Sequence, residues 1–147
     1  MKKVTLLGDS IRMMGYGARV AEILGKDGVE VFQPDDNCRF AKYTLRMLFD
    51  FKDNIAGSNV IHWNNGLWDV ADLFGDGQFT STEEYCDNML RIADVLLKIT
   101  PNVIFATTTP VRNNYPYQKC EDIARLNAAI VPLLKAKNIA INDLYGL

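Results

Sequence analysis

The chain has 147 residues, 48% of them hydrophobic, with 16 basic against 18 acidic side chains and a net charge of −2. That length suits one domain spanning 1–147 with its own core, since domains commonly hold about 100–150 residues. A near-neutral balance without a basic stripe excludes the phosphate-backbone contacts of nucleic-acid proteins, and the first apolar run, Val4–Leu7, is far too short for a signal peptide or a membrane span.

In chain order, Lys3–Leu7 reads as a strand, followed by Gly8-Asp9-Ser10 and a helical pattern over Met13–Leu24. Val29–Phe32 predicts a second strand and Tyr43–Phe51 a second helix. Asn59–Trp63 predicts the third strand, leading into the polar run Asn64-Asn65-Gly66-Leu67-Trp68-Asp69. The helix over Thr82–Ile99 has the clearest boundaries. Ser81 or Thr82 can cap it, Glu83 and Glu84 complement its dipole, and Pro101 closes it. Its apolar positions Tyr85, Met89, Ile92, Ala93 and Leu96 recur at helical spacing and predict a core-facing side. Asn102–Thr107 is the fourth strand, ending in Thr107-Thr108-Thr109-Pro110. Cys120–Lys137 is the last helix, where Pro132 should kink or break the ladder. Ile139–Ile141 is the fifth strand.

Strands alternating with helices predict a parallel α/β sheet, and right-handed crossovers put helices on both faces. The expected architecture is a three-layer α/β/α sandwich, flavodoxin-like, with strand order 2-1-3-4-5. Such sheets bind ligands beyond their strand C-termini. That brings Ser10, the Asn64–Asp69 run and the Thr107–Pro110 run to one place. Ser10 alone is equally well a helix N-cap. Beside it, a carboxamide from Asn64 or Asn65 could donate to a negatively charged oxygen developing on an attacked acyl group.

The residues Gly8-Asp9-Ser10-Ile11 after the first strand and Asn64-Asn65-Gly66-Leu67-Trp68-Asp69 after the third resemble the GDSL or SGNH hydrolase superfamily, over essentially the whole chain. The resemblance implies that Ser10 is the nucleophile and an oxyanion N–H donor. It assigns a second donor to Asn65, with Asn64 as its rival. The family's third block usually reads Gly-x-Asn-Asp, whereas Gly66-Leu67-Trp68-Asp69 carries tryptophan in place of the asparagine. The family's glycine after the second strand is replaced by Pro34-Asp35-Asp36-Asn37-Cys38-Arg39-Phe40-Ala41, where backbone N–H groups of Cys38–Ala41 could serve. Asp9, Ile11, Arg39, Trp68 and Arg112 are the expected substrate contacts, with Asp9 also expected to orient the serine turn through side chain to backbone bonds. Asp69 is expected to bond within its own loop.

The family also places an Asp-x-x-His block soon after the last strand. Asp143-Leu144-Tyr145-Gly146 looks like the lead-in to it, without the histidine. The one histidine of the sequence, His62, falls inside the third strand and reads as a packed, hydrogen-bonded residue in preference to a base. Two function classes therefore stand. One is a carboxylic-ester hydrolase acting on small or carbohydrate esters through an acyl-enzyme at Ser10, these 147 residues being an incomplete fragment of it; the other is a catalytically impaired binding or interaction module that keeps the pocket. A phosphate or nucleotide binder lacks the glycine-rich fingerprint. No cofactor is implied, and the cysteines Cys38, Cys86 and Cys120 with one histidine make no ordinary metal site. Their odd number reads as reduced thiols in a cytoplasmic protein. A short C-terminus would leave apolar sheet surface bare, which predicts poor solubility or a homodimer.

Overall fold

Residues 2–147 are described by the computed structural model. The strands are β1 (Lys3–Leu7), β2 (Glu30–Phe32), β3 (Val60–Trp63), β4 (Val103–Ala106) and β5 (Ala140–Asn142). They form one all-parallel sheet in the order β2-β1-β3-β4-β5. The α-helices are α1 (Gly17–Lys26), α2 (Ala41–Asp50), the single turn α3 (Lys52–Ile55), α4 (Thr82–Ile99) and α5 (Cys120–Lys135). Register is continuous across the middle of the sheet: Leu7 pairs with Trp63 and Trp63 with Phe105.

Alternation along each strand divides its side chains between the two faces. Leu7, Ile61, Trp63, Val103 and Phe105 are buried beneath Met47 and Leu48 of α2, Tyr85, Met89, Ile92 and Leu96 of α4, and Ile123, Leu126 and Ile130 of α5. Trp63 packs on Phe105 with ring centroids 5.2 Å apart. The opposite face presents Val4, Leu6, His62 and Ile104, and there α1 supplies Val20 and Leu24 beside a groove of about 360 Å³. Ser81 caps α4 as expected, its hydroxyl accepting the Glu84 N–H at 3.1 Å.

Two local expectations are corrected. The first helix starts earlier than Met13: Ser10 leads into a π-helical segment, Ile11–Tyr16, before α1 proper begins at Gly17. Tertiary demands on Arg12, described below, override the simple 3.6-residue period there. Pro132 neither breaks nor ends α5, which continues to Lys135. Both Pro132 and Ala128, whose carbonyl the proline ring leaves unpaired, are exposed, so water can satisfy that carbonyl. Gly66 is required by contact, because a Cβ there would collide with the Thr108 hydroxyl.

Candidate active site

The sheet brings the ends of β1, β3 and β4 together around a cleft of about 550 Å³. Ser10 lines it, half-buried. As the first residue of the helical segment it has helical backbone angles (φ −62°, ψ −25°), and its side chain makes no capping bond. The hydroxyl is thus not spent on the helix terminus. Ile11, Trp68 and Arg112 share the cleft with it, as do Phe40, Phe79 and Tyr115. Arg39 stands beside this wall, its guanidinium 5.7 Å from the Trp68 ring centroid and 4.9 Å from that of Tyr43.

Asp9 departs from the expected substrate contacts. It is fully buried, and its Oδ1 accepts the Ile11 N–H at 2.9 Å, so it shapes the serine turn and does not reach the cleft. Burial pushes its carboxyl above the usual range. Trp63 is core, whereas Trp68, 39% exposed, is wall.

The two asparagines have different duties. Asn65 is fully buried, and both hydrogens of its carboxamide are donated inside the protein, to the Arg39 carbonyl at 3.1 Å and the Thr44 hydroxyl at 2.9 Å. Its Oδ1 accepts the Trp63 indole N–H at 2.7 Å. Its main-chain carbonyl accepts the hydroxyls of Tyr85 at 2.8 Å and Thr108 at 3.0 Å. Asn64 extends the β1–β3 ladder through its N–H to the Leu7 carbonyl at 3.0 Å and gives one amide hydrogen to the Ala106 carbonyl at 3.0 Å. Its second amide hydrogen has no acceptor among the described residues.

The loop between β2 and α2 turns without glycine because Arg39 itself takes a left-handed conformation, φ +52°. Asn37 supports the turn, its Oδ1 accepting the Arg39 N–H at 2.7 Å. The Cys38 N–H goes to the Gly8 carbonyl at 3.1 Å and the Ala41 N–H to Asp69 Oδ2 at 3.0 Å. Within Cys38–Ala41 this leaves the N–H of Phe40 without an acceptor among the described residues, and the N–H of Ser10 is equally free. Asp69 therefore bonds across to the start of α2 through its side chain, while its main-chain carbonyl accepts the Thr80 N–H at 2.9 Å within its own loop, as expected.

Burial pushes the Asp69 carboxyl from an ordinary 3.8 up to about 6, and its Oδ1 has no partner among the described residues. A raised acid favours the protonated form in the folded state. The associated stability is present below about pH 4 and is lost as pH rises through about 6, an effect on the order of 3 kcal/mol. Asp69→Asn, which keeps an acceptor for Ala41, should gain on the wild type as pH rises from 4 to 7. Urea unfolding at several pH values measures this; a constant difference between the two proteins would refute it.

His62 faces the opposite side of the sheet, in the groove with Tyr16 and Leu24. Its Nε2 lies 3.1 Å from the Asn142 amide nitrogen, its ring meets Tyr16 edge-on at 5.5 Å, and burial pushes its imidazole below the ordinary range. Asp143 accepts the Thr107 hydroxyl at 2.9 Å and the Gly146 N–H at 3.2 Å. Cys38, Cys86 and Cys120 are free thiols, no cluster of the described residues is arranged to hold a metal ion, and no described helix is long and apolar enough to cross a membrane.

Sequence reasoning missed Arg12, Thr44 and Asn127. Asn127 clamps the loop after β4, accepting the Thr108 N–H and donating to the Thr108 carbonyl, both at 3.0 Å.

No family model and no curated protein sequence matches this chain. Solved structures do. An acetyl xylan esterase, AlAXEase, superposes with a TM-score of 0.79 at 21% identity, over 98% of this chain and 78% of that one. A lipase/acylhydrolase from Enterococcus faecalis gives 0.75 at 18% identity, over 99% and 77%. A GDSL-like lipase from Bacteroides thetaiotaomicron gives 0.74 at 19% identity, over 99% and 69%. The chain has the fold of these proteins across nearly its whole length.

Proposed function

We propose that this protein is a carboxylic-ester hydrolase in which the Ser10 hydroxyl attacks the acyl carbon of a small or carbohydrate ester. One observation carries the reading: a serine hydroxyl left unspent at a helix start lines a cleft at the sheet's carboxyl edge. The shared fold with esterases and acylhydrolases supports the same reaction class.

In the chemistry this implies, Ser10 Oγ forms a bond to the acyl carbon while its proton passes to a base. The carbonyl oxygen gathers negative charge in the tetrahedral intermediate, which the N–H groups of Ser10 and Phe40 and the spare amide hydrogen of Asn64 are suited to receive. Collapse expels the alcohol, and water then releases the acyl group from Ser10. Asn65 supports this set by fixing the Arg39 carbonyl and the end of β3. His62 does not serve as the base, because it faces the other side of the sheet. The aromatic walls of the cleft, Trp68, Phe79 and Tyr115 among them, suit stacking against the apolar face of a sugar ring, with Arg112 as a polar partner.

A fluorophosphonate tests the nucleophile. Any preparation of the protein that hydrolyses p-nitrophenyl acetate should carry the label on the peptide containing Ser10 and on no other. Label elsewhere, or turnover without label, would overturn the assignment.

A further inference from the structure

Arg12 is 1% exposed, and its guanidinium is held by four acceptors. Nε donates to the Gly8 carbonyl at 3.2 Å. Nη1 donates to Gln33 Oε1 at 3.3 Å and the Pro34 carbonyl at 2.9 Å, and Nη2 donates to the Asp36 carbonyl at 2.7 Å. A buried guanidinium persists only with its fork of donors satisfied, and here three of the four acceptors belong to the segment leading from β2 towards Phe40. The Gly8 carbonyl is shared: it also accepts the Cys38 N–H at 3.1 Å, while the Gly8 N–H goes to Cys38 Sγ at 3.2 Å. The turn before Ser10 and the turn before Phe40 are thereby tied into one knot, with Arg12 as its cross-piece.

The sequence clears space for that cross-piece. A Cβ on Gly8 would lie 2.9 Å from Arg12 Cβ, and one on Gly17 would collide with Gln33 Oε1. The wide π-helical turn of Ile11–Tyr16 begins where Arg12 must both continue the helix and reach sideways. The Asp9 carboxylate is close enough for the guanidinium charge to act on its ionisation, which offsets part of the cost of burying both.

We infer that Arg12 is a positioning residue of the candidate site, whose planar fork sets the β2–α2 loop, and with it the Phe40 N–H, at a fixed distance from Ser10. This rests on the hydrolase reading for its catalytic meaning but not for its geometry. Lysine cannot replace it, because a single ammonium has no planar array of donors to span Gly8, Pro34 and Asp36 together.

Amide hydrogen exchange on the 147-residue chain tests the geometry directly. In Arg12→Ala and in Arg12→Lys, exchange at Cys38 should accelerate at least tenfold while the strand amides of Trp63 and Phe105 keep their protection. Added methylguanidinium should restore Cys38 protection in Arg12→Ala. Unchanged Cys38 exchange, an equal loss of protection throughout β3 and β4, or full protection in Arg12→Lys would each overturn the inference. Ser10→Ala should leave Cys38 exchange as in the wild type, so a failed nucleophile assignment and a failed positioning role for Arg12 are told apart. In a preparation with measurable turnover, Arg12→Lys should lower kcat with KM little changed.

Discussion

In a preparation that hydrolyses p-nitrophenyl acetate, Ser10→Ala should reduce turnover by roughly 10³-fold or more, to the level left by binding and oxyanion contacts alone. The side chain makes no capping bond, so alanine removes a reactive oxygen without removing a structural hydrogen bond. Thermal and urea midpoints should therefore stay near those of the wild type. That pairing distinguishes a nucleophile from a fold determinant: activity lost with stability kept supports the role, whereas substantial turnover in the folded variant would eliminate it. The N–H of residue 10 survives the substitution, so any residual rate reports on the oxyanion donors.

The second large effect is a contrast between neighbours. Asn64→Ala should lower kcat by about 10²–10³-fold with a small change in KM, the cost of removing one donor from a developing oxyanion. Asn65→Ala should instead act on folding. It strips the Trp63 indole N–H of its acceptor and the Thr44 hydroxyl and Arg39 carbonyl of a donor, in a fully buried setting. Leaving such groups unpaired costs about 2–4 kcal/mol in total. Kinetics together with urea unfolding on both variants provide the readout. A stable but inactive Asn65→Ala beside an active Asn64→Ala would reverse the assignment.

Much of the frame could be read from residue order. The helix over Thr82–Ile99 was legible at both ends because its signals are local: a serine cap, acids in the first turn, a proline just beyond the end. The parallel sheet followed from alternation and crossover handedness, its order from the flavodoxin-like architecture, and Ser10 was legible because it lies three residues past the end of an apolar strand. What stayed hidden depends on partners far along the chain. Arg12 reads as an ordinary charged helix residue until the carbonyls of Pro34 and Asp36 are seen around it, and Asp69 reads as a loop aspartate until Ala41 is brought to it. Choosing between Asn64 and Asn65 fails for a different reason. Consecutive residues leaving a strand point to opposite sides, and which side holds the buried partners is set by Ala106 for Asn64 and by Arg39 and Thr44 for Asn65, all distant in the chain. Arg39 replaces the expected glycine by adopting left-handed angles, which no composition rule for turns would select.

β1 is hydrogen-bonded on one edge to β2 and on the other to β3, and Ser10 hangs from its end. Most of the outer cleft wall comes from other segments, the stretches around Trp68–Phe79 and Val111–Gln118, with Ile11 and Phe40 completing it. The proposed nucleophile and the outer ligand contour thus sit on different segments: wall residues such as Leu73 and Tyr115 can be exchanged while Ser10 stays at the end of β1. Exchanging the exposed wall residues Leu73, Phe79 and Tyr115, with Asp69 and its bond to the Ala41 N–H kept, is the natural route to retargeting this scaffold towards bulkier ligands.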